Sequence, residues 1–508
     1  MKLKKCISFF TIAAFSIFTW SCTIYSTNKI SPDQIAGKSN RGVQVLRVMK
    51  TSGEIIEFPK EYPGFIYKEA IVSGSPGGSI PLSEVELIWI KEIDVGLSTA
   101  ASIGVVAAVV GVTVLGIYLI WWLTKETSCP ILYAQDDMGN FQREGELYSG
   151  AIFKEIKRTD YLKLHHLTEK NNSFTLKISN EADETQCTDV IKLLVVDHPK
   201  KTGVFVGSDG IVHTVRNPLR PQSAQDLKGT DFTKALTASD NRMWSSNPVH
   251  KNPDNPEDLK SGIVLKFPKP PGAKKAKLVV RIGNTFWVDY FLARLFGLTG
   301  SMMESWYQQL AQGPQIREKA ESFMRQQGFS MRVQLMKAGA WEDLGYFYPT
   351  GPVGMKDDIL EFPLDQEASN QMTVKLDGGT FFWMVDYAGV DYSTDLPVEI
   401  HDLAPIEAID ENGHDVKEFL ALSDGSDFVM PKPGNFAVLK FSIPAKNPEA
   451  ERSFILKSEG YYLVHSRKEG LPDYQTLLAI QQDPTYILKF SLQEFAKAMQ
   501  SKARPLQK

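Results

Sequence analysis

The alternation of hydrophobic and polar residues divides the chain into stretches of different period. Lys2, Lys4 and Lys5 precede an apolar run from Ile7 to Trp20, the charged and apolar regions of a secretory leader. Residues 23–40 are rich in Ser, Thr and Asn and read as a tether. From 41 to 94 the apolar residues alternate in short runs, such as Val43-Val45 and Ile55-Ile56-Phe58, divided by turn residues. That pattern predicts a small β-barrel or meander. Residues 95–124 then carry no charge at all, long enough for one apolar transmembrane-type helix.

Beyond Cys129 the strand pattern returns and dominates. Phe174-Leu176-Ile178 alternates, and Val190 to Val196 is almost continuously apolar. Gly378-Gly379 between two apolar runs reads as a hairpin turn. A helical stretch interrupts the strands. Trp287 to Leu298 is apolar at Phe291, Leu292, Leu295 and Phe296, and a later helix runs from Pro314 to Gln327 with Gly328 as its stop. The C-terminus is predicted helical, with Ser491 and Glu494 as its cap.

An internal repeat organises this region. Pro221–Asp240 aligns without gaps to Pro405–Asp424, with eight of twenty residues identical. Val264-Leu265-Lys266-Phe267 is repeated as Val438-Leu439-Lys440-Phe441. The predicted fold is therefore mainly β. Its parts are a leader (1–22), a tether (23–40), a small β domain (41–94), the apolar helix (95–124), a first β-sandwich-like module (129–284), a helical insertion (285–328), a second related module (329–471) and a helical tail (472–508).

Composition narrows the function. The net charge of −4 without a long basic run argues against a nucleic-acid partner. The four cysteines are too few for a disulfide scaffold. Cys22 ends the leader after Ser21 and is the expected lipidation site. Cys129 and Cys187 are open to two readings, a disulfide in an oxidising compartment or two separate thiols. Ala100, Gly104 and Ala108 share one helix face at the spacing that lets membrane helices approach, a candidate face for self-association. Asp410, Asn412, Gly413 and Asp415 gather oxygen ligands as calcium loops do, but they lack the later bidentate Glu and read as a turn. No nucleophile elbow, phosphate loop, dinucleotide fingerprint or zinc motif occurs, so no catalytic residue, metal or cofactor is assigned. The aromatic groups Phe381-Phe382-Trp383 with Tyr387 and Tyr392, and Trp341 with Tyr346-Phe347-Tyr348, could stack a sugar or peptide or could pack a core.

The run Ile80-Pro81-Leu82-Ser83-Glu84-Val85, the Ala/Gly/Val-rich stretch after it and Cys129-Pro130 with Tyr133 resemble a group of bacterial envelope lipoproteins. Asp183-Glu184-Thr185-Gln186 leading to Leu193–Pro199 is similar to the same group. The resemblance implies location and architecture and carries no activity. The sequence thus points to a non-enzymatic, membrane-anchored protein of the bacterial cell envelope, acting as a scaffold or binding a protein partner or a second copy. An envelope glycan- or peptide-binding module is the alternative, and an enzyme is the third reading.

Overall fold

A computed structural model describes residues 25–30, 32, 44–58, 64–67, 70–73, 79–93, 129–167, 172–248, 251–303, 305, 307–308, 315–364, 369–465, 470–483 and 485–503. They fall in two compact units, on either side of the apolar stretch.

The first unit is one antiparallel sheet. Its strands are β1 (Tyr25–Ile30), β2 (Gln44–Lys50), β3 (Ile55–Glu57), β4 (Gly64–Tyr67), β5 (Ala70–Ser73), β6 (Ser79–Pro81) and β7 (Val85–Ile93). They lie in the order β1-β7-β2-β4-β5-β6, with β3 on β2. Val45, Val48, Ile71, Val85, Ile88 and Ile90 form its core; register shifts in the β2–β7 pairing after Val45 and after Met49 let residues three apart share that face. The small β domain thus extends backwards. Tyr25–Ile30, expected in the tether, is a strand paired along β7.

The second unit contains β8 (Ile131–Gln135), β9 (Phe141–Glu146), β10 (Arg158–Lys163), β11 (Ser173–Ser179), β12 (Glu184–His198), β13 (Gly203–Val206), β14 (Val212–Val215), β15 (Ser223–Asp226), β16 (Trp244–Ser245), β17 (Lys260–Pro268) and β18 (Lys275–Asn284). Then follow β19 (Met331–Lys337), β20 (Ala340–Phe347), β21 (Lys356–Pro363), β22 (Gln371–Gly379), β23 (Trp383–Asp391), β24 (Glu399–Leu403), β25 (Glu407–Asp410), β26 (Phe428–Met430), β27 (Phe436–Ser442) and β28 (Glu451–Val464). Its helices are α1 (Pro256–Leu259), α2 (Phe286–Gly297), α3 (Ile316–Gln326), α4 (Tyr474–Gln482) and α5 (Tyr486–Ala503).

These strands build two β-sandwiches of the same topology. In domain I, the sheet β25-β27-β11-β8-β9 faces the sheet β10-β28-β12-β24, and β26 also pairs with β12. In domain II, the sheet β15-β17-β22-β19-β20 faces β16-β23-β18-β21. The registers match pair for pair. Ala224 lies opposite Leu265 as Ala408 lies opposite Leu439. Thr373 pairs with Lys266 as Thr175 pairs with Lys440. The bulge after Leu132, opposite Gly145, returns after Val333, opposite Gly345. The Asp226 and Asp410 turns are identical in plan, each aspartate accepting two backbone N–H bonds from the residues that follow.

The sequence repeat is therefore real, but the expectation of two separately closed modules is corrected. Each repeat copy is split, and the halves are exchanged. β8–β12 of the first copy close with β25–β28 of the second, giving domain I. β15–β18 of the first copy close with β19–β23 of the second, giving domain II. The cores follow the exchange. Leu176, Ile178, Ile191 and Leu193 pack with Leu439, Phe441 and Leu456. Ile263, Leu265, Phe267 and Leu278 pack with Val333, Val374, Leu376 and Val385. Each such buried side chain contributes roughly 1.5–3 kcal/mol of hydrophobic free energy, so the exchanged arrangement is held by the full weight of both cores.

The continuous apolar run of β12 is explained by burial on two faces. Ile191, Leu193 and Val195 face the domain I core, while Leu194 and Val196 meet Val204 and Val206 of the β13–β14 hairpin.

Three further expectations change. First, none of the described helices is long and apolar enough to cross a membrane. The transmembrane-type helix is thus no part of the described fold; Val95–Thr124, with Ala100, Gly104 and Ala108, lies outside the described residues, as does Cys22. Second, the C-terminal segment is no tail. Ile487, Leu488, Phe490, Leu492 and Phe495 of α5 complete the domain II core against Trp287 and Phe291 of α2. Ser491 caps nothing; it sits inside α5 and accepts the Trp287 indole N–H at 2.9 Å. Third, Gly378-Gly379 is no hairpin. It carries the chain from one sheet of domain II to the other, where a Cβ would come within 2.6 Å of Trp383 or 2.4 Å of Phe382. The stop at Gly328 is as read, with φ +69°.

Candidate functional site

The residues weighed from sequence separate into core and surface. Phe381, Phe382 and Trp383 are buried among Phe291, Phe329 and Phe495, so this group offers no ligand face. Tyr346 and Tyr348, two residues apart at the end of β20, instead reach a cleft of about 540 Å³ between domains I and II. Cys129 and Cys187 are two separate buried thiols rather than a disulfide. Cys129 lies beside Glu146, Ser149 and Tyr462, and Cys187 beside Tyr461 on the adjacent strand. Burial pushes both thiols upward, which disfavours the reactive thiolate.

The cleft is built from both domains and from α3. Domain I supplies Lys157, Arg158 and Glu459; domain II supplies Tyr346 and Tyr348; α3 supplies Arg317, Glu321 and Arg325. The lining holds four cations and two carboxylates, a cationic balance in a chain whose net charge is negative. Arg158 lies over the Tyr348 ring at 4.9 Å and Arg325 over Tyr346 at 5.6 Å. Such guanidinium–ring contacts pin the side chain while leaving its edge for hydrogen bonds. Arg158 donates to the Pro349 carbonyl at 2.9 Å and stands 3.9 Å from Asp160. Its Nε is buried without a hydrogen-bond partner. Arg317 donates to the Lys157 carbonyl at 2.7 Å, tying α3 to domain I. Lys157 is occupied by Asp189 and Glu459.

Beneath the cleft, the related strands β10 and β21 bring together Arg158, Asp160, Lys356 and Asp358. Burial opposes the Asp160 carboxylate, but Lys356 and Arg158 outweigh it and hold its pKa below the ordinary value. The equivalent Asp358 lies 3.9 Å from the same ammonium, and burial pushes it up to about 6.

A second junction between the domains is closed. Glu146 accepts the Val353 N–H at 2.8 Å, and its other oxygen is buried without a hydrogen-bond partner. Burial and then the Asp289 carboxylate drive Glu146 well above the ordinary range. Glu184 accepts the Cys129 N–H at 2.7 Å and the Gln186 amide at 2.7 Å, and burial still raises it to about 8. Both side chains are almost wholly buried, Glu146 at 4% and Glu184 at 1% exposure.

Two triads have the composition of metal ligands, Asp197–Glu399–His401 and His213–Glu361–Asp395. Each already contains a protein cation. Arg452 grips Asp197 with two donors at 2.5 and 2.6 Å, and the buried Lys277 ammonium binds Asp395 at 2.9 Å. A metal would have to displace these cations.

Sequence reading missed the cleft because its arginines come from one strand and one distant helix, with no shared motif. No family model and no curated protein matches the chain. Among solved structures, that of the Gt strain of infectious bursal disease virus is similar at 8% identity over 74% of this chain and 90% of that chain, with a TM-score of 0.11, a likeness that carries no argument.

Proposed function

We propose that the protein is a non-enzymatic binding protein of the bacterial cell envelope, anchored through Cys22, and that its partner or ligand is held in the cleft between the two exchanged domains. One observation supports this above the others: a cleft of about 540 Å³, within the ordinary size range of ligand sites, walled by both domains and by α3. The leader-like N-terminus ending at Cys22 supports the location.

The test uses single cysteines and a membrane-impermeant maleimide on spheroplasts of the producing bacterium. Leu422 is 64% exposed and outside the cleft, whereas Ser208 is exposed on the cleft wall. The proposal expects Leu422→Cys to label on spheroplasts. It expects Ser208→Cys to be protected there and to label once the protein is purified. A silent Leu422→Cys on spheroplasts would contradict the envelope location. Equal labelling of Ser208→Cys in both settings would contradict an occupied cleft.

A further inference from the structure

We infer that the cleft binds an oxyanion, a carboxylate or phosphate group of a small ligand seated among Arg158, Arg317 and Arg325. The inference rests on the proposed binding role and adds the chemistry of what is bound.

Donor supply is the first argument. A guanidinium offers five N–H donors. Arg158 spends one on Pro349 and leaves its buried Nε unused, with the nearest carboxylate 3.9 Å away. Arg317 and Arg325 share the single Glu321 carboxylate at 3.7 and 3.6 Å, ion-pair distances too long for strong hydrogen bonds. The hydrogen bonds and ion pairs of these arginines to Pro349, Lys157 and Glu321 thus engage only some of their donors. An oxyanion in the cleft would add acceptors for the guanidinium groups that line it.

Geometry is the second argument. Arg158 and Arg325 are each held over a tyrosine ring of the same strand end, so their planes are fixed in advance. Fixed guanidinium edges suit two-point recognition of carboxylate or phosphate. The same contacts occupy one face each of Tyr348 and Tyr346. Lys157 is already paired to Asp189 and to Glu459, so the positive charge open to a ligand comes from the three arginines.

The experiment is isothermal titration of the full-length protein in mild detergent with inorganic phosphate and, separately, with citrate. Saturable binding of either is expected, weakening as salt rises. Arg317→Gln and Arg325→Gln lie on a helix with no buried residue, so they leave the cores intact; each is expected to weaken binding about tenfold, a loss of about 1.4 kcal/mol. Arg242→Gln, exposed and outside the cleft, is expected to change nothing. Preference for phosphate or for citrate identifies the source of the oxyanion. Absence of binding by both anions, or equal binding by the arginine variants, overturns the inference. Protection of Ser208→Cys in cells without binding of either anion would overturn this inference alone and leave the binding role standing.

Discussion

The two domains share a strand plan and differ where they meet. Gly145 and Gly345 mark the same bulge, and the residues after them face opposite fates. In domain I, Glu146 enters the sealed acid junction and Tyr148 is fully buried, its hydroxyl 2.7 Å from Thr188 Oγ1. In domain II, Tyr346 and Tyr348 line the open cleft under two arginines. The strand pairing that makes a sandwich was kept in both copies, while the junction chemistry diverged. One junction locks the domains together; the other leaves room for a ligand.

The sharpest way to break the closed junction is at Gly351. A Cβ there would lie 1.7 Å from Glu146 Oε2, on a backbone with φ +76°. Gly351→Ala is expected to cost about 3 kcal/mol or more in chemical denaturation. Shortening Glu146 to Ala in the same chain should recover part of that loss.

Titration of the junction has a definite sign. Glu184 ionises at about 8 in the folded protein, raised from 4.5 chiefly by burial. The folded state thus holds a proton that the unfolded chain has released, so stability falls as pH rises from about 4.5 to about 8 and levels off above that window. Every tenfold difference in proton affinity between the folded and unfolded chain is worth about 1.4 kcal/mol. Glu184→Gln keeps an acceptor for Cys129 and Gln186 without the charge. Its denaturation midpoint should fall less over this window than that of the parent, with the advantage greatest near pH 8.

The smallest effects sharpen the comparison most cleanly. Tyr148→Phe removes a buried hydroxyl from Thr188 and should cost about 1–2 kcal/mol. Tyr348→Phe, at the equivalent position but in the open cleft, should stay within about 0.5 kcal/mol of the parent. Equal costs in the two variants would contradict the distinction between the junctions.

Much of the fold was legible in sequence. The shared Val-Leu-Lys-Phe of β17 and β27 and the alternation of β11 identified strands and a repeat. The exchange of halves was not legible, for a physical reason. Lys440 and Lys266 stand on equivalent strands, and so do Thr175 and Thr373, so either pairing buries the same pattern. The choice between them depends on the connecting chain, which periodicity does not report. Alternation alone leaves Phe381, Phe382 and Trp383 open to a ligand face as well as to the favoured core, and the neighbouring rings of α2 and α5 place them in the core. The cleft depends on Arg158, Arg317 and Arg325 meeting across a domain boundary, which only the closed fold determines.

The exchange is tested most directly by paired cysteines on those equivalent strands. Thr175 lies opposite Lys440, and Thr373 opposite Lys266. Mild oxidation of the full-length protein should close a disulfide in the Thr175→Cys/Lys440→Cys variant and in the Thr373→Cys/Lys266→Cys variant. The within-copy pair Thr175→Cys/Lys266→Cys should remain reduced. A disulfide in that last variant, with none in the first two, would mean that each copy folds upon itself and would contradict the account.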